Sequence, residues 1–484
     1  MRQKRSREYF RIRRLVRRYD KRSGKFTFNI SYETAATLTS RTRAVAEAFG
    51  LGLDKAQKFP ICENVELKIG SRDVVYLTGD SGSGKSTLLK AIKKDLGDES
   101  VDMADLQIEA DKPIIDTVGK SFTQALELLS KVGLNDAFLF VRRYNELSDG
   151  QKYRYRLAKL IEIGKQWWIC DEFCSTLDRD TAKIVAFNVQ KIARQNGRAV
   201  VAATTHTDLF GDLMPSVHVH KRFGREIRVD YFPNRLNHEC SLVKEMCVKE
   251  GTVADYKLLS CFHYRSSRCP APRKIFVLKR GDELCGVIVY SFPSPIAFGR
   301  SRVWKGSFEQ LQNEVSSISR VVVHPKYRSV GLGVKLVKET LPMVGTTFVE
   351  ALAVMAKYNP FFEKAGMQKI AESKPSVNLL CALERLRGLG FESSLLGSVG
   401  ENLWVIERVG RDKVISVLEK LSRKEGVLRR RLLALGSVFP SHEEFLEKLH
   451  RLGDEGLSVV LKRLAFLMQS KVYLFWSRDG FKRK

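Results

Sequence analysis

Lys85 and Ser86 close a glycine-rich stretch, Gly79-Asp80-Ser81-Gly82-Ser83-Gly84, and Thr87 follows them. Glycines in such a loop let backbone N–H groups point into one concavity, and a helix beginning there adds partial positive charge. That is a seat for the phosphates of a nucleoside triphosphate, with Lys85 reaching the outer phosphates and Ser86 placed to hold Mg²⁺. Asp171, next to Glu172 at the end of the apolar run Trp167-Trp168-Ile169-Cys170, is placed to share that Mg²⁺. A second glycine loop, Arg328-Ser329-Val330-Gly331-Leu332-Gly333, offers backbone N–H groups to a pyrophosphate in the same way. His238, Cys240, Cys247, Cys261, His263 and Cys269 crowd together, but no pair has the close spacing of a metal clip, so they read as reduced, largely buried thiols.

Both loops need a strand before them and a helix after them. Val74-Val75-Tyr76-Leu77-Thr78 and Leu88-Leu89-Lys90-Ala91-Ile92 supply these for the first loop. For the second, Ser316-Ser317-Ile318 reads as the lead-in to a strand whose body is Val321-Val322-Val323, and the helix runs over Val334–Leu341. Residues 50–235 alternate short apolar strands with amphipathic helices, the pattern of a parallel or mixed α/β sheet. Lys274–Leu278 and Leu284–Tyr290 predict a hairpin around Arg280–Glu283, and Phe348–Val354 a further strand. Cys170, Cys285 and Cys381 read as core-strand cysteines. Beyond 391 the period turns helical, with Val414, Ile415, Val417, Leu418 and Leu421 on one face and a capping box at Ser441–Glu444. The expected division is a basic arm and lead-in at 1–49, an α/β region around the first loop at 50–235, another around the second loop at 236–390 and a helical region at 391–484.

The order of four segments resembles the ATPase of the ABC superfamily: the phosphate loop, Leu147-Ser148-Asp149-Gly150-Gln151, Asp171-Glu172, and Thr205-His206. The resemblance implies that Glu172 polarises the attacking water, that His206 contacts the γ-phosphate and that Ser175–Asp178 forms a D-loop. It also implies that Ser148, Gly150 and Gln151 complete the nucleotide site of an opposite subunit, hence a homodimer formed on ATP. Asp149 departs from the family's usual glycine, and no glutamine stands at the position expected before Pro113, where Ala110 and Asp111 sit and Gln107 is displaced. Arg328, Gly331 and Gly333 resemble the acyl-coenzyme A motif of GNAT N-acetyltransferases, followed by Tyr358-Asn359-Pro360-Phe361-Phe362-Glu363-Lys364-Ala365-Gly366. That likeness implies acetyl-CoA held by Val321, Val323 and Arg328–Gly333, with an amine attacking the thioester directly. Where many members carry a tyrosine to protonate the thiolate this chain has Phe362, which leaves Tyr358 as candidate acid; Glu350 and Glu314 are candidate bases. The whole order of parts is similar to archaeal-type ABC ATPases fused to a predicted acetyltransferase.

Composition points to partners. The chain carries 83 Lys+Arg against 55 Asp+Glu, a net charge of +28, and its first 25 residues hold twelve Lys/Arg and two Asp/Glu. Such an excess suits phosphate backbones, so a nucleic acid is the expected acceptor. His263, Tyr264 and Arg265 could clamp a planar or phosphate-bearing acceptor, a cluster similar to one in GNAT-like enzymes that modify DNA bases in phages. No apolar run reaches membrane-spanning length and no secretory signal is evident, so a cytoplasmic protein is expected. Two other readings stay open: a nucleic-acid- or ribosome-associated ABC ATPase whose GNAT module only binds, and the ATPase subunit of a transporter.

Overall fold

The computed structural model describes residues 11–34, 37–52, 57–263, 269, 271–354, 356, 359–435 and 438–480. Two compact units result: Met1–Cys269 with Lys274–Val289 and Arg320–Glu339, and Pro270–Arg273 with Tyr290–Ser319 and Thr340–Lys484. Among the described residues no helix is long and apolar enough to cross a membrane.

The first unit opens with an antiparallel sheet of β1 (Arg11–Asp20), β2 (Lys25–Thr34) and β3 (Gln57–Lys68), helix α1 (Ser40–Phe49) lying between the last two in sequence. The basic residues from Arg11 onward therefore sit on a paired strand, Arg17 opposite Phe28. Next come β4 (Val74–Thr78), α2 (Lys85–Leu96), β5 (Ser100–Asp102), α3 (Phe122–Lys131), α4 (Ala137–Phe140), α5 (Asp149–Ile163), β6 (Trp167–Cys170), α6 (Arg179–Gln195), β7 (Ala199–Ala203), α7 (Phe210–Leu213), β8 (Val217–Lys221) and β9 (Ile227–Tyr231). The six strands pair in the order β5-β6-β7-β4-β8-β9, all parallel except β9. Central strands of such a sheet are buried on both faces, which explains their unbroken apolar runs. The pleat deals alternate residues to two cores: Tyr76, Trp168, Cys170 and Val200 to one, Leu77, Trp167, Ile169 and Val201 to the other. Phe26, Phe28 and Ile30 of β2 join the second core beside Leu88, Leu89 and Ile92 of α2, so the first sheet and the phosphate-loop helix share one interior.

The chain continues through α8 (Ser241–Lys244), β10 (Met246–Glu250), α9 (Val253–Leu259), β11 (Pro272–Arg280), β12 (Glu283–Ser291), α10 (Phe308–Glu314), β13 (Val315–Val323), α11 (Leu332–Thr340), β14 (Phe348–Ala353), α12 (Phe361–Lys364) and β15 (Gln368–Ser373). Six helices follow: α13 (Val377–Gly388), α14 (Val399–Val409), α15 (Arg411–Lys424), α16 (Val427–Leu433), α17 (His442–Arg451) and α18 (Asp454–Leu467); strand β16 (Lys471–Ser477) comes last. In the first unit β10 pairs antiparallel with β11, Val248 opposite Leu278. Within the first unit, Tyr256, Ile275, Val277, Val287, Val289 and Val322 form a core of their own.

In the second unit the six helices bury Leu386, Ile406, Val414, Leu418, Leu449 and Leu461 together, and β16 pairs antiparallel with both β14 and β15. The capping box at Ser441–Glu444 is formed. Ser316–Ile318 are strand residues rather than a lead-in: Ser316 pairs with Val349 and Ile318 with Ala351. A serine is tolerated there because Thr346 and Arg273 both bond its fully buried hydroxyl. Cys381 is no core-strand residue; it is exposed on α13, off the face made by Leu379, Ala382, Leu383 and Leu386.

Candidate functional site

The carboxyl ends of adjacent parallel strands converge, as ligand sites in open α/β sheets do. From β4 leads the phosphate loop, from β6 Asp171 and Glu172, from β7 the Thr204–His206 segment, and from β8 Phe223 and Gly224. A cavity of about 530 Å³ is lined by Ser81, Gly82, Ser83, Gly84, Lys85, Ser86, Thr87 and Glu172, together with Pro60, Ile61, Phe223 and Gly224. Gly79 has φ +145°, and a Cβ there would stand 1.9 Å from the Lys221 carbonyl oxygen, so only glycine lets the loop leave β4 alongside β8. Lys85 is buried, and its Nζ donates to the carbonyls of Gly79 (2.8 Å) and Asp80 (2.6 Å). Burial pulls its pKa down while Glu172 and Asp171 pull it up, and burial prevails. The Ser83 hydroxyl is buried without a partner in the same loop. An ammonium held at the loop, a partnerless hydroxyl and N–H groups at the start of α2 are a donor set that fits nucleotide phosphates, with Ser86 and Asp171 the residues that would hold Mg²⁺.

The remaining nucleotide-associated residues lie outside this cavity lining. Ser148 caps α5 reciprocally with Gln151: its hydroxyl accepts from the Gln151 N–H at 3.4 Å, and its own N–H donates to Gln151 Oε1 at 3.0 Å. The signature is thus a helix N-terminus, with Gly150 so close to Leu177 that a Cβ would come within 3.1 Å of it. Asp178 caps α6, accepting from the Thr181 N–H and hydroxyl. Glu172 has φ +49°, a conformation that a non-glycine residue keeps only when its surroundings impose it. The carbonyl of His206 accepts from the Tyr76 hydroxyl of β4, and Arg179 grips Asp208 with both Nε and Nη2, tying the segment after β7 to the start of α6. Gln107 is exposed in the loop after β5.

The second loop is built on the end of β13, where Val321 and Val323 are half-buried. The His324 N–H donates to the Cys285 carbonyl, and His324 Nδ1 accepts from the Lys326 N–H at 3.3 Å. Arg328 spreads its guanidinium over three carbonyls, those of Val323, Asn135 and Phe262, at 3.1, 3.3 and 3.4 Å. Ser329 (φ +75°) and Gly331 (φ +90°) turn the backbone, Val330 lies between them, and α11 begins at Leu332 with Gly333 in its first turn. Among the described residues, none beyond its chain neighbours lies within 4 Å of where a Gly331 Cβ would stand, which leaves open approach to the loop at a helix start. These residues fit a pyrophosphate such as that of coenzyme A. His263 follows the short helical turn holding Phe262, whose ring packs edge-on to His324 at 5.1 Å. Tyr264, Arg265 and Tyr358 lie outside the described residues.

In the second unit the ladder between β13 and β14 ends at Ile318 opposite Ala351, although β14 runs on to Ala353. Glu350 is no free base. It takes a two-pronged bond from Arg300 (2.9 and 2.7 Å) and a third from the Tyr473 hydroxyl (2.8 Å), all three residues being buried. Glu314 accepts from Trp304 Nε1 at 3.1 Å. By contrast, Glu363 Oε2, on α12, is buried without a partner among the described residues. Sequence reasoning missed Phe223 because it sits in an ordinary strand-to-strand turn.

Comparison with known proteins places both sites in families. Residues 62–175 match the ABC transporter family model, and residues 242–365 match the acetyltransferase (GNAT) family model. Over 183 residues the chain is 28% identical to the methionine import ATP-binding protein MetN of Xanthomonas oryzae, covering 30% of this chain and 54% of that protein. Over 170 residues it is 28% identical to the cytochrome c biogenesis ATP-binding export protein CcmA of Ruegeria pomeroyi, covering 31% and 79%. The chain therefore spans about half the length of the methionine importer subunit it matches. A solved dimeric ATP-binding cassette in a post-hydrolysis state, bound to ADP and Pi, aligns with TM-score 0.31 and 19% identity over 36% of this chain and 92% of its own. On one polypeptide, then, this chain carries an ABC-type ATPase domain and a GNAT-family acetyltransferase domain.

Proposed function

We propose that the chain is an ATP-dependent, acetyl-CoA-using N-acyltransferase acting on a nucleic acid in the cytoplasm, its 50–235 region the motor and its 236–390 region the transferase. The observation that supports it most is the Arg328–Gly333 loop, a strand-to-helix turn with open approach at Gly331, on the same chain as a nucleotide cavity. In this reading Lys85, Ser86 and Asp171 hold ATP and Mg²⁺, Glu172 orients water, and His206 meets the γ-phosphate. Ser148, Gly150, Gln151 and Asp178 would serve the nucleotide of a second copy, making an ATP-dependent homodimer. At the other site the acceptor nitrogen attacks the thioester carbon and the C–S bond breaks. The thiolate takes a proton from Tyr358, and the amine's proton leaves through water. The acceptor is inferred from the +28 charge and from His263, Tyr264 and Arg265. Acetyl-CoA titration tests the transferase site: the unmodified protein binds and a Gly331→Asp/Gly333→Asp variant does not. Equal, unmeasurable binding by both would overturn this reading.

The rival, a nucleic-acid- or ribosome-associated ABC ATPase with a non-catalytic GNAT module, is favoured by one observation. Both carboxylates first read as bases are engaged, Glu350 by Arg300 and Tyr473 and Glu314 by Trp304. Acetyl-CoA binding without turnover on any acceptor would decide for it. The transport names of the relatives support a third reading, in which copurification with a membrane protein is expected.

A further inference from the structure

Helix α6 starts directly after Asp178 of the D-loop and presents two polar side chains to the second glycine loop. Asp180 Oδ2 receives Lys326 Nζ at 2.6 Å, Arg280 Nη1 at 2.9 Å and the Tyr327 hydroxyl at 3.4 Å. Burial alone would raise the Asp180 carboxyl, but Lys326 and Arg280 outweigh it and hold it below its ordinary range. Eight residues on, and so on the same helix face, Asn188 is buried among apolar neighbours and donates to Ser329 Oγ at 2.8 Å. Ser329 is the loop's non-glycine residue at positive φ, a strained conformation that lasts only where neighbours over-determine it. A second tie comes from the signature helix: Arg154 of α5 bonds the carbonyls of Gly150 (3.2 Å) and Gly133 (3.0 Å), and Asn135 in that same turn accepts from Arg328. Helix α6, which follows the D-loop, is therefore one hydrogen bond from the acyl-CoA loop, Asn188 to Ser329, and the signature helix is two, Arg154 to Gly133 and Arg328 to Asn135.

We propose that Asp180 and Asn188 are positioning residues for the acyl-CoA loop, and that nucleotide binding at the ATPase site shifts the loop's affinity for acetyl-CoA through them. The proposal rests on the acyl-CoA reading above. Linkage makes the effect reciprocal, so acetyl-CoA changes ATP affinity by the same factor. The test titrates acetyl-CoA into full-length Glu172→Gln protein, which retains ATP, with and without ATP-Mg²⁺. A shift of about 5-fold or more is expected, the lower end of measured couplings. Asn188→Ala should weaken acetyl-CoA binding about 5-fold, the size of one lost hydrogen bond, and abolish the ATP-dependent shift. Adding Ser329→Gly to Asn188→Ala should restore acetyl-CoA affinity, because glycine takes positive φ freely, but not the response to ATP. A merely structural role would restore both or neither. ATP affinity on the same preparations confirms a folded ATPase body. An ATP shift that is absent, or one that survives in Asn188→Ala, overturns the coupling alone; no acetyl-CoA binding in either state overturns the acyl-CoA reading beneath it.

Discussion

Glu172 lines the nucleotide cavity in a left-handed backbone conformation, one residue after the aspartate placed for Mg²⁺. A residue held there as general base contributes about 10²–10⁴-fold, so Glu172→Gln should lower ATP turnover by that factor while ATP binding survives. Phosphate release with a parallel binding titration checks it. His324 gives a pH dependence with a definite sign. Burial depresses its pKa, with Lys326 and Arg328 acting in the same direction and Glu283 opposing them. Its Nδ1 must be unprotonated to accept the Lys326 N–H. A depressed histidine stabilises its turn fully above its unfolded value of about 6.5, and that contribution is lost as pH falls through the lower folded value. Acetyl-CoA affinity should therefore hold as pH passes about 6.5 and fall only as it drops through that lower folded value, and His324→Gln should flatten that part of the profile. Titrations of both proteins across the range separate this from protonation of the ligand itself.

Elements explain what residue order revealed and what it hid. The strand, glycine loop and helix were legible twice, because phosphate binding dictates glycine, a cation and a helix start at fixed spacing. Strand β16 was not: Val472, Tyr473, Leu474 and Phe475 have strand composition, but helices α13 to α18 intervene between them and the strands they pair with. Pairing over such a distance leaves no local signal. The same distance hid the role of Glu350 on β14, whose partners Arg300 and Tyr473 are remote in sequence. Glu350→Gln should leave the buried Arg300 without its counter-charge, a loss of about 3–5 kcal/mol. Denaturant unfolding measures it, and an unchanged midpoint would contradict the account. The basic N-terminus was legible as charge but not as structure. Arg11–Asp20 form a strand whose neighbour β2 buries Phe26 and Phe28, so deleting residues 1–25 would remove a strand along with charges.

At the scale of the whole molecule the net charge is +28, an excess that would favour the polyanionic partner proposed above. Replacing Arg2, Lys4, Arg5 and Arg7 by glutamine removes four cations and changes no residue of Arg11–Asp20. If these four neutralise phosphates, the salt slope of nucleic-acid binding should fall by about 3. An unchanged slope would assign that charge another task. The joining of motor and transferase is tested most directly by incubating the protein with radiolabelled acetyl-CoA, ATP-Mg²⁺ and separated cellular RNA, DNA and protein fractions. The account predicts label in a nucleic-acid fraction, lost with Glu172→Gln and with Gly331→Asp. Label in protein alone, or label indifferent to the ATPase variant, would contradict it.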